Sequence, residues 1–157
     1  MICDQKECVT LEVEEGEVKV YDNPIGVLTN CPDFGKQLFN LNNFPSLSPS
    51  DPRDRFAPSF PLSSYSRAMG TMTLPGGLDS QSRFVRAAFC ALNACKEKDG
   101  KKAVSQFFHI LHSVFQVKGL DKVEDGFEYT IYTSCVDMDR GIYRFMGYDD
   151  FEIKEAR

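Results

Sequence analysis

Apolar and polar residues alternate from the start of the chain. Val9, Leu11 and Val13 interleave with Thr10 and Glu12, and beyond Glu14-Glu15-Gly16-Glu17 the alternation resumes as Val18 and Val20 against Lys19 and Tyr21. A period of two places the apolar set on one side of a pleated ribbon, so the pattern predicts a β-hairpin with one dry face. Asp22-Asn23-Pro24 then predicts a turn into a third strand, Ile25 to Asn30. Cys31-Pro32 ends it, because proline lacks an N–H and holds its predecessor extended. Asn30 is thereby expected at a strand's end.

From Asp33 the period lengthens. Phe34, Leu38, Phe39 and Leu41 suit a short helix or helical turns, stopped by Asn42-Asn43 and Pro45. From Pro45 to Gly77 there is no sustained period, and the prolines, serines and Gly76-Gly77 predict a long loop. Phe56, Phe60, Leu62, Tyr65, Met69 and Met72 argue against full disorder there, since such side chains are costly to leave in water. A helix follows, with Asp79, Ser80 and Ser82 as candidate caps and Phe84, Ala88, Ala91, Leu92 and Cys95 on one stripe.

Lys96 to Lys102 reads as a charged linker, and Val104, Phe107, Phe108, Leu111 and Phe115 predict a second helix that closes at Lys118-Gly119. Phe127 to Met138 is aromatic and β-branched; Asp139-Arg140-Gly141 turns it into Ile142–Met146, a second hairpin. Phe151 to Lys154 adds a short strand. The order β-β-β, loop, α-α, β-β is an α+β pattern in which two helices pack on one face of a mostly antiparallel sheet. The other sheet face has no cover in this sequence.

Composition narrows the function classes. With 42% hydrophobic and 26% charged residues, the 157-residue chain is expected to be one globular domain. Its net charge of -5 and the lack of a basic run or aromatic–basic alternation point away from nucleic acid. No apolar run reaches bilayer length and the first residues lack the apolar core of a signal peptide, so no membrane association and a cytoplasmic location are expected. The six cysteines are scattered without C-x-x-C, which predicts reduced thiols rather than a disulfide framework.

Two residues carry candidate chemistry. A carboxamide at Asn30 offers two donors and one acceptor in fixed directions, suited either to capping a turn or to binding a polarised carbonyl or oxyanion. Arg83 sits in the first turn of its helix, where a cation opposes the dipole. It is either a surface arginine paired with a carboxylate such as Asp79, or a group aimed into a cleft to stabilise a thiolate or grip an anion. Cys31 adjoins Asn30 without evident activation. His109 and His112 could ligate a metal from adjacent turns, but no third ligand is evident and both fall on the polar stripe, so solvated histidines and no metal are expected.

The run Asn23-Pro24-Ile25-Gly26-Val27-Leu28-Thr29-Asn30-Cys31-Pro32-Asp33-Phe34, with Gln37-Leu38-Phe39-Asn40-Leu41-Asn42-Asn43 after it, resembles the choloylglycine hydrolases, the bile salt hydrolases and their penicillin V acylase relatives. Leu74-Pro75-Gly76-Gly77 leading to Ser82-Arg83-Phe84-Val85-Arg86-Ala87-Ala88-Phe89, then Phe107-Phe108-His109-Ile110-Leu111, then Glu128 to Cys135 agree in order and spacing.

The resemblance implies part of an N-terminal-nucleophile (Ntn) hydrolase αββα sandwich that cleaves linear amides with an N-terminal cysteine, needs no cofactor and acts on conjugated bile acids. It aligns Asn30 and Arg83 with active-site residues and the Pro45–Gly77 loop with a segment of tetramer contacts. It also implies that this chain is the C-terminal portion, residues 1–157 of a single hydrolase domain. The nucleophile would lie elsewhere, since Cys3 aligns with an ordinary strand position. A penicillin V acylase portion and a non-catalytic assembly remnant are the alternatives.

Overall fold

The computed structural model describes residues 1–4 and 6–156, in two compact units, 1–93 and 94–157. The first unit opens on a three-stranded antiparallel sheet, β1 (Ile2–Cys3), β2 (Cys8–Glu14) and β3 (Glu17–Asp22), in that order. The β2–β3 hairpin pairs Leu11 with Val20 and Val13 with Val18, as the alternation demands. The register also sets Cys3 opposite Cys8, and the two are joined in a disulfide. This corrects the expectation of six reduced thiols: strand pairing, invisible in the cysteine spacing, brings this pair together. Cys31, Cys90, Cys95 and Cys135 are free.

The sheet turns its polar face inward. Thr10 is fully buried and accepts a 3.0 Å bond from Asn23 Nδ2, while Glu12 accepts a 2.7 Å bond from the Phe34 amide at the start of α1 (Phe34–Asn40). Tyr21 donates to Glu14 and meets the edge of Phe34, which in turn meets Phe84. Phe34 and Phe84 are completely buried and form the centre of this unit. The apolar face, with Ile2, Leu11, Val13, Val18 and Val20, stays open, Val13 being 73% exposed. The dry face expected from the pattern exists as a face, and within this unit it lacks a cover.

Residues 25–30 form no strand, which corrects the expected third strand and the placement of Asn30 at its end. Asn23 replaces the ladder: its carboxamide accepts from the Ile25 and Gly26 amides and donates to the Val27 carbonyl. Gly26 takes φ +69°, which a strand residue cannot. Side-chain hydrogen bonds, rather than a ladder, hold the segment.

After α1 and a single 3-10 turn, residues 41–43, the long loop runs as expected, with a second 3-10 turn at Met69–Thr71. The excursion between Ser48 and Gly70 is pinned at its base, where the Ser48 amide donates to the Gly70 carbonyl and the Met69 amide to Asp51. A Cβ on Gly70 would lie 2.0 Å from the Ser50 carbonyl oxygen, so only glycine closes this neck. The excursion carries exposed Phe56, Phe60, Leu62 and Tyr65. Helix α2 (Ser80–Asn93) ends the unit, burying Phe84, Val85 and Ala88, while Leu92 is exposed and Cys95 lies beyond its end.

In the second unit α3 spans Gly100–His112, shorter than expected at its C-terminal end and longer at the other. Asp99 caps it by accepting from the Lys102 amide, which draws part of the supposed linker into the helix. Phe108 packs with Val104, Cys135 and Met146. Strands β4 (Asp121–Val123) and β5 (Gly126–Glu128) form a small hairpin, and β6 (Tyr132–Asp137), β7 (Ile142–Gly147) and β8 (Asp150–Ala156) a three-stranded antiparallel sheet. The single strand expected over Phe127–Met138 is thus divided. Thr130 leaves the sheet to exchange hydrogen bonds with the Gln116 backbone, donating from its amide and accepting at its hydroxyl. Here too one sheet face meets a helix, while Tyr132 and Val136 on the other are exposed.

Candidate active site

Both candidate residues lie in the first unit, and the fold joins them. Asp79 precedes α2 and accepts from the Ser82 amide at 2.9 Å and the Ser82 hydroxyl at 2.6 Å. Ser82's side-chain and amide bonds hold the Asp79 carboxyl below its ordinary range. Asp79 is therefore spent on the cap and forms no ion pair with Arg83. Arg83 instead donates from Nε to the Leu78 carbonyl at 2.9 Å and from Nη2 to Asn30 Oδ1 at 2.8 Å.

This contact fixes the Asn30 amide. An arginine can only donate, so the atom facing it is the oxygen and Nδ2 points elsewhere. Neither Asn30 Nδ2 nor Arg83 Nη1 has a hydrogen-bond partner among the described residues. Asn30 is exposed and Arg83 half-buried. A cation hydrogen-bonded to the amide oxygen draws electron density from the nitrogen and sharpens it as a donor. The pair thus presents one neutral N–H donor and one fixed positive charge side by side, a combination able to receive an amide carbonyl or to hold a thiolate.

Sequence reasoning singled out both members but not what holds them. Arg86, nine-tenths buried, donates from Nη1 to the Pro75 and Gly77 carbonyls at 2.6 Å each, fixing the turn whose next residue, Leu78, receives Arg83. Thr29, immediately before Asn30, donates to the Ser80 carbonyl, and Ser80 Oγ donates back to Thr29 Oγ1 at 3.0 Å. Gln37, 0% exposed, donates from Nε2 to both hydroxyls at 3.2 and 3.3 Å. The available signal was a glutamine three residues after Phe34 on the buried side of α1.

Cys31 is exposed. His109 is exposed as expected, but His112 is not a solvated histidine. Its ring packs among Phe108, His109 and Phe115, and its buried Nε2 has no hydrogen-bond partner among the described residues, because α3 ends there and the chain beyond brings Phe115 onto the ring. Carboxylate oxygens of Glu12, Glu14 and Asp33 gather within 4.8 Å, but each has a protein donor: the Phe34 amide, Tyr21 and Lys36 respectively. Among the described residues no helix is long and apolar enough to cross a membrane.

The family of linear amide C–N hydrolases, choloylglycine hydrolase family, matches residues 1–157. A bile salt hydrolase/transferase of Lactiplantibacillus plantarum is 53% identical over 157 residues, covering 99% of this chain and 48% of its own length. A conjugated bile acid hydrolase of Lactobacillus acidophilus is 37% identical, covering 98% and 49%. The chain thus spans about half the length of these relatives. Among solved structures, a conjugated bile acid hydrolase mutant from Clostridium perfringens superposes with a TM-score of 0.81 at 32% identity, covering 94% of this chain and 45% of that one. A penicillin V acylase from Agrobacterium tumefaciens gives 0.69 at 22% identity over 92% and 40%, a likeness of fold alone. The fold is α+β, of the Ntn-hydrolase class that these structures share. The chain belongs to the choloylglycine hydrolase family of linear amide C–N hydrolases.

Proposed function

We propose that residues 1–157 are the C-terminal portion of a single amidohydrolase domain and supply the Asn30–Arg83 half of its catalytic site, with the cysteine nucleophile carried outside this chain. The observation that carries this reading is the 2.8 Å bond from Arg83 to Asn30, which leaves Asn30 Nδ2 and Arg83 Nη1 without protein partners among the described residues. The nucleophile's thiolate attacks the carbonyl carbon of a linear amide, and the C–O π bond becomes an oxyanion. Arg83 steadies the thiolate before attack, and Asn30 Nδ2–H orients the carbonyl or the attacking sulfur. The C–N bond then breaks, the amine leaves with the proton first taken from the thiol, and water releases the acyl group.

Conjugated bile acids, with glycine or taurine as the leaving amine, are the substrate class, on the strength of the bile acid relatives at 53% and 37% identity. A penicillin V acylase is the alternative with the same chemistry. The excursion between Ser48 and Gly70, with its exposed Phe56 and Tyr65, is assigned to contacts between subunits of a tetramer formed by the complete protein.

The reading predicts that the purified 157-residue chain releases no glycine or taurine from glycocholate or taurocholate. A hybrid in which it replaces the matching segment of the Lactiplantibacillus plantarum enzyme would do so. Hydrolysis by the isolated chain would place the nucleophile within it and overturn the division proposed.

A further inference from the structure

Gln37 is a fully enclosed polar side chain near the candidate site, and it hydrogen-bonds neither Asn30 nor Arg83. It is 0% exposed, and its Oε1 has no hydrogen-bond partner among the described residues. An orphaned buried carbonyl works against stability, so packing alone does not account for a glutamine here. What Gln37 does reach are two hydroxyls, each adjacent in structure to one member of the pair. Thr29 is bonded through the chain to Asn30, and Ser80 lies one helical turn before Arg83 on the same face of α2. Nε2 lies within hydrogen-bond reach of both hydroxyls, at 3.2 and 3.3 Å. The Thr29 hydroxyl donates to the Ser80 carbonyl and accepts from Ser80 Oγ, so both hydroxyl hydrogens are committed and Gln37 meets the hydroxyls as a donor.

We infer that Gln37 is a positioning residue. From α1 it locks the Thr29–Ser80 contact and thereby fixes the distance between Asn30 and Arg83, whose backbones are 53 residues apart. No strand holds Asn30: residues 26–29 lie outside any sheet, and the hydrogen bonds of Thr29 fasten that segment to α2. Removing the Gln37 donor leaves the Thr29–Ser80 contact on its own two hydrogen bonds, untied from α1, and lets the segment slide along the helix start. A shift of about an ångström breaks a 2.8 Å bond. The inference rests on the functional reading above only for its kinetic consequence.

The test is Gln37→Leu, which keeps the volume and removes the donor, with Thr29→Val as a second variant that removes the acceptor. In the full 157-residue chain, the Arg83 Nη–H resonances report the bond without substrate, because a guanidinium bonded to Asn30 rotates slowly about its Cζ–Nε bond. Both substitutions are expected to collapse these resonances to a fast-rotating set, with the melting temperature not lowered by Gln37→Leu. In the hybrid enzyme kcat is expected to fall roughly ten- to hundredfold at a KM within about twofold. In an Arg83→Ala background Gln37→Leu is expected to have no further effect on kcat.

Slow Arg83 rotation retained in both variants, or an undiminished kcat effect in the Arg83→Ala background, would overturn the inference. A hybrid inactive on every conjugate, with the Arg83 resonances still lost on substitution, would overturn the functional reading and leave the positioning role standing.

Discussion

Arg83 Nη2 donates to Asn30 Oδ1 at 2.8 Å, and through that one bond two segments 53 residues apart in the chain become a single chemical unit. The geometry also orients each partner: Nε of the same guanidinium is held by the Leu78 carbonyl, and the amide nitrogen of Asn30 is turned away. Replacing either residue by alanine is expected to lower kcat of the complete enzyme by about 10²–10³, the usual cost of one oxyanion-type donor. The double variant is expected to be little worse than either single one, because the pair acts as a unit. Steady-state kinetics on the hybrid enzyme check this.

Arg83→Lys is expected to behave like Arg83→Ala. A single ammonium cannot reach both the Leu78 carbonyl and Asn30 in the planar fork that a guanidinium provides. Retention of more than half the activity in the lysine variant would contradict the bidentate role.

The Asp79 cap gives a pH-dependent signature. Its folded-state carboxyl titrates below the ordinary value, chiefly through Ser82, so its stabilisation is fully present above the unfolded pKa near 4 and fades as pH falls through the lowered folded value. Asp79→Ala is expected to cost about 1 kcal/mol at neutral pH. Denaturant melts of both proteins should converge as pH falls below about 4.

Phe34 ties the inner face of the first sheet to α2, meeting Tyr21 at 5.8 Å and Phe84 at 6.1 Å between ring centres. Phe34→Ala is expected to cost about 3–5 kcal/mol, measured by denaturant unfolding, and to loosen the start of α1 where Asp33 and Gln37 lie.

Gly70→Ala should open the neck of the loop excursion, since its Cβ would fall 2.0 Å from the Ser50 carbonyl and 2.5 Å from that of Ser48. Limited proteolysis between Asp51 and Arg67 is the measurement: faster cleavage than in the parent chain is expected, with α2 still protected.

The elements with a strong period are legible in the sequence. The Val9–Val20 hairpin, α1, α2 and the Ile142 strand follow from spacing alone, because each buries or aligns one face over several residues. The stretch from Ile25 to Asn30 was not, because its apolar residues read as a strand while one side chain, Asn23, and the left-handed Gly26 hold it out of the sheet. The end of α3 was missed for a related reason: Phe115 continues the helical period, but it stacks on Tyr148 from beyond the helix. Asn30 and Arg83 were visible as unusual residue types in their places, and their mutual contact was not, since nothing local encodes a bond between a loop and a distant helix start. The clamp of Thr29, Gln37 and Ser80 was hidden by the ordinary look of two hydroxyls and a glutamine.

The claim that this chain supplies one half of an amide-cleaving site is tested most directly by the hybrid carrying residues 1–157 within the Lactiplantibacillus plantarum enzyme, with glycine release from glycocholate as the readout. Release that falls at least a hundredfold on Arg83→Ala or Asn30→Ala, in hybrids that remain folded by circular dichroism, is the result this account predicts. A folded hybrid that releases no glycine, or one indifferent to both substitutions, would contradict it.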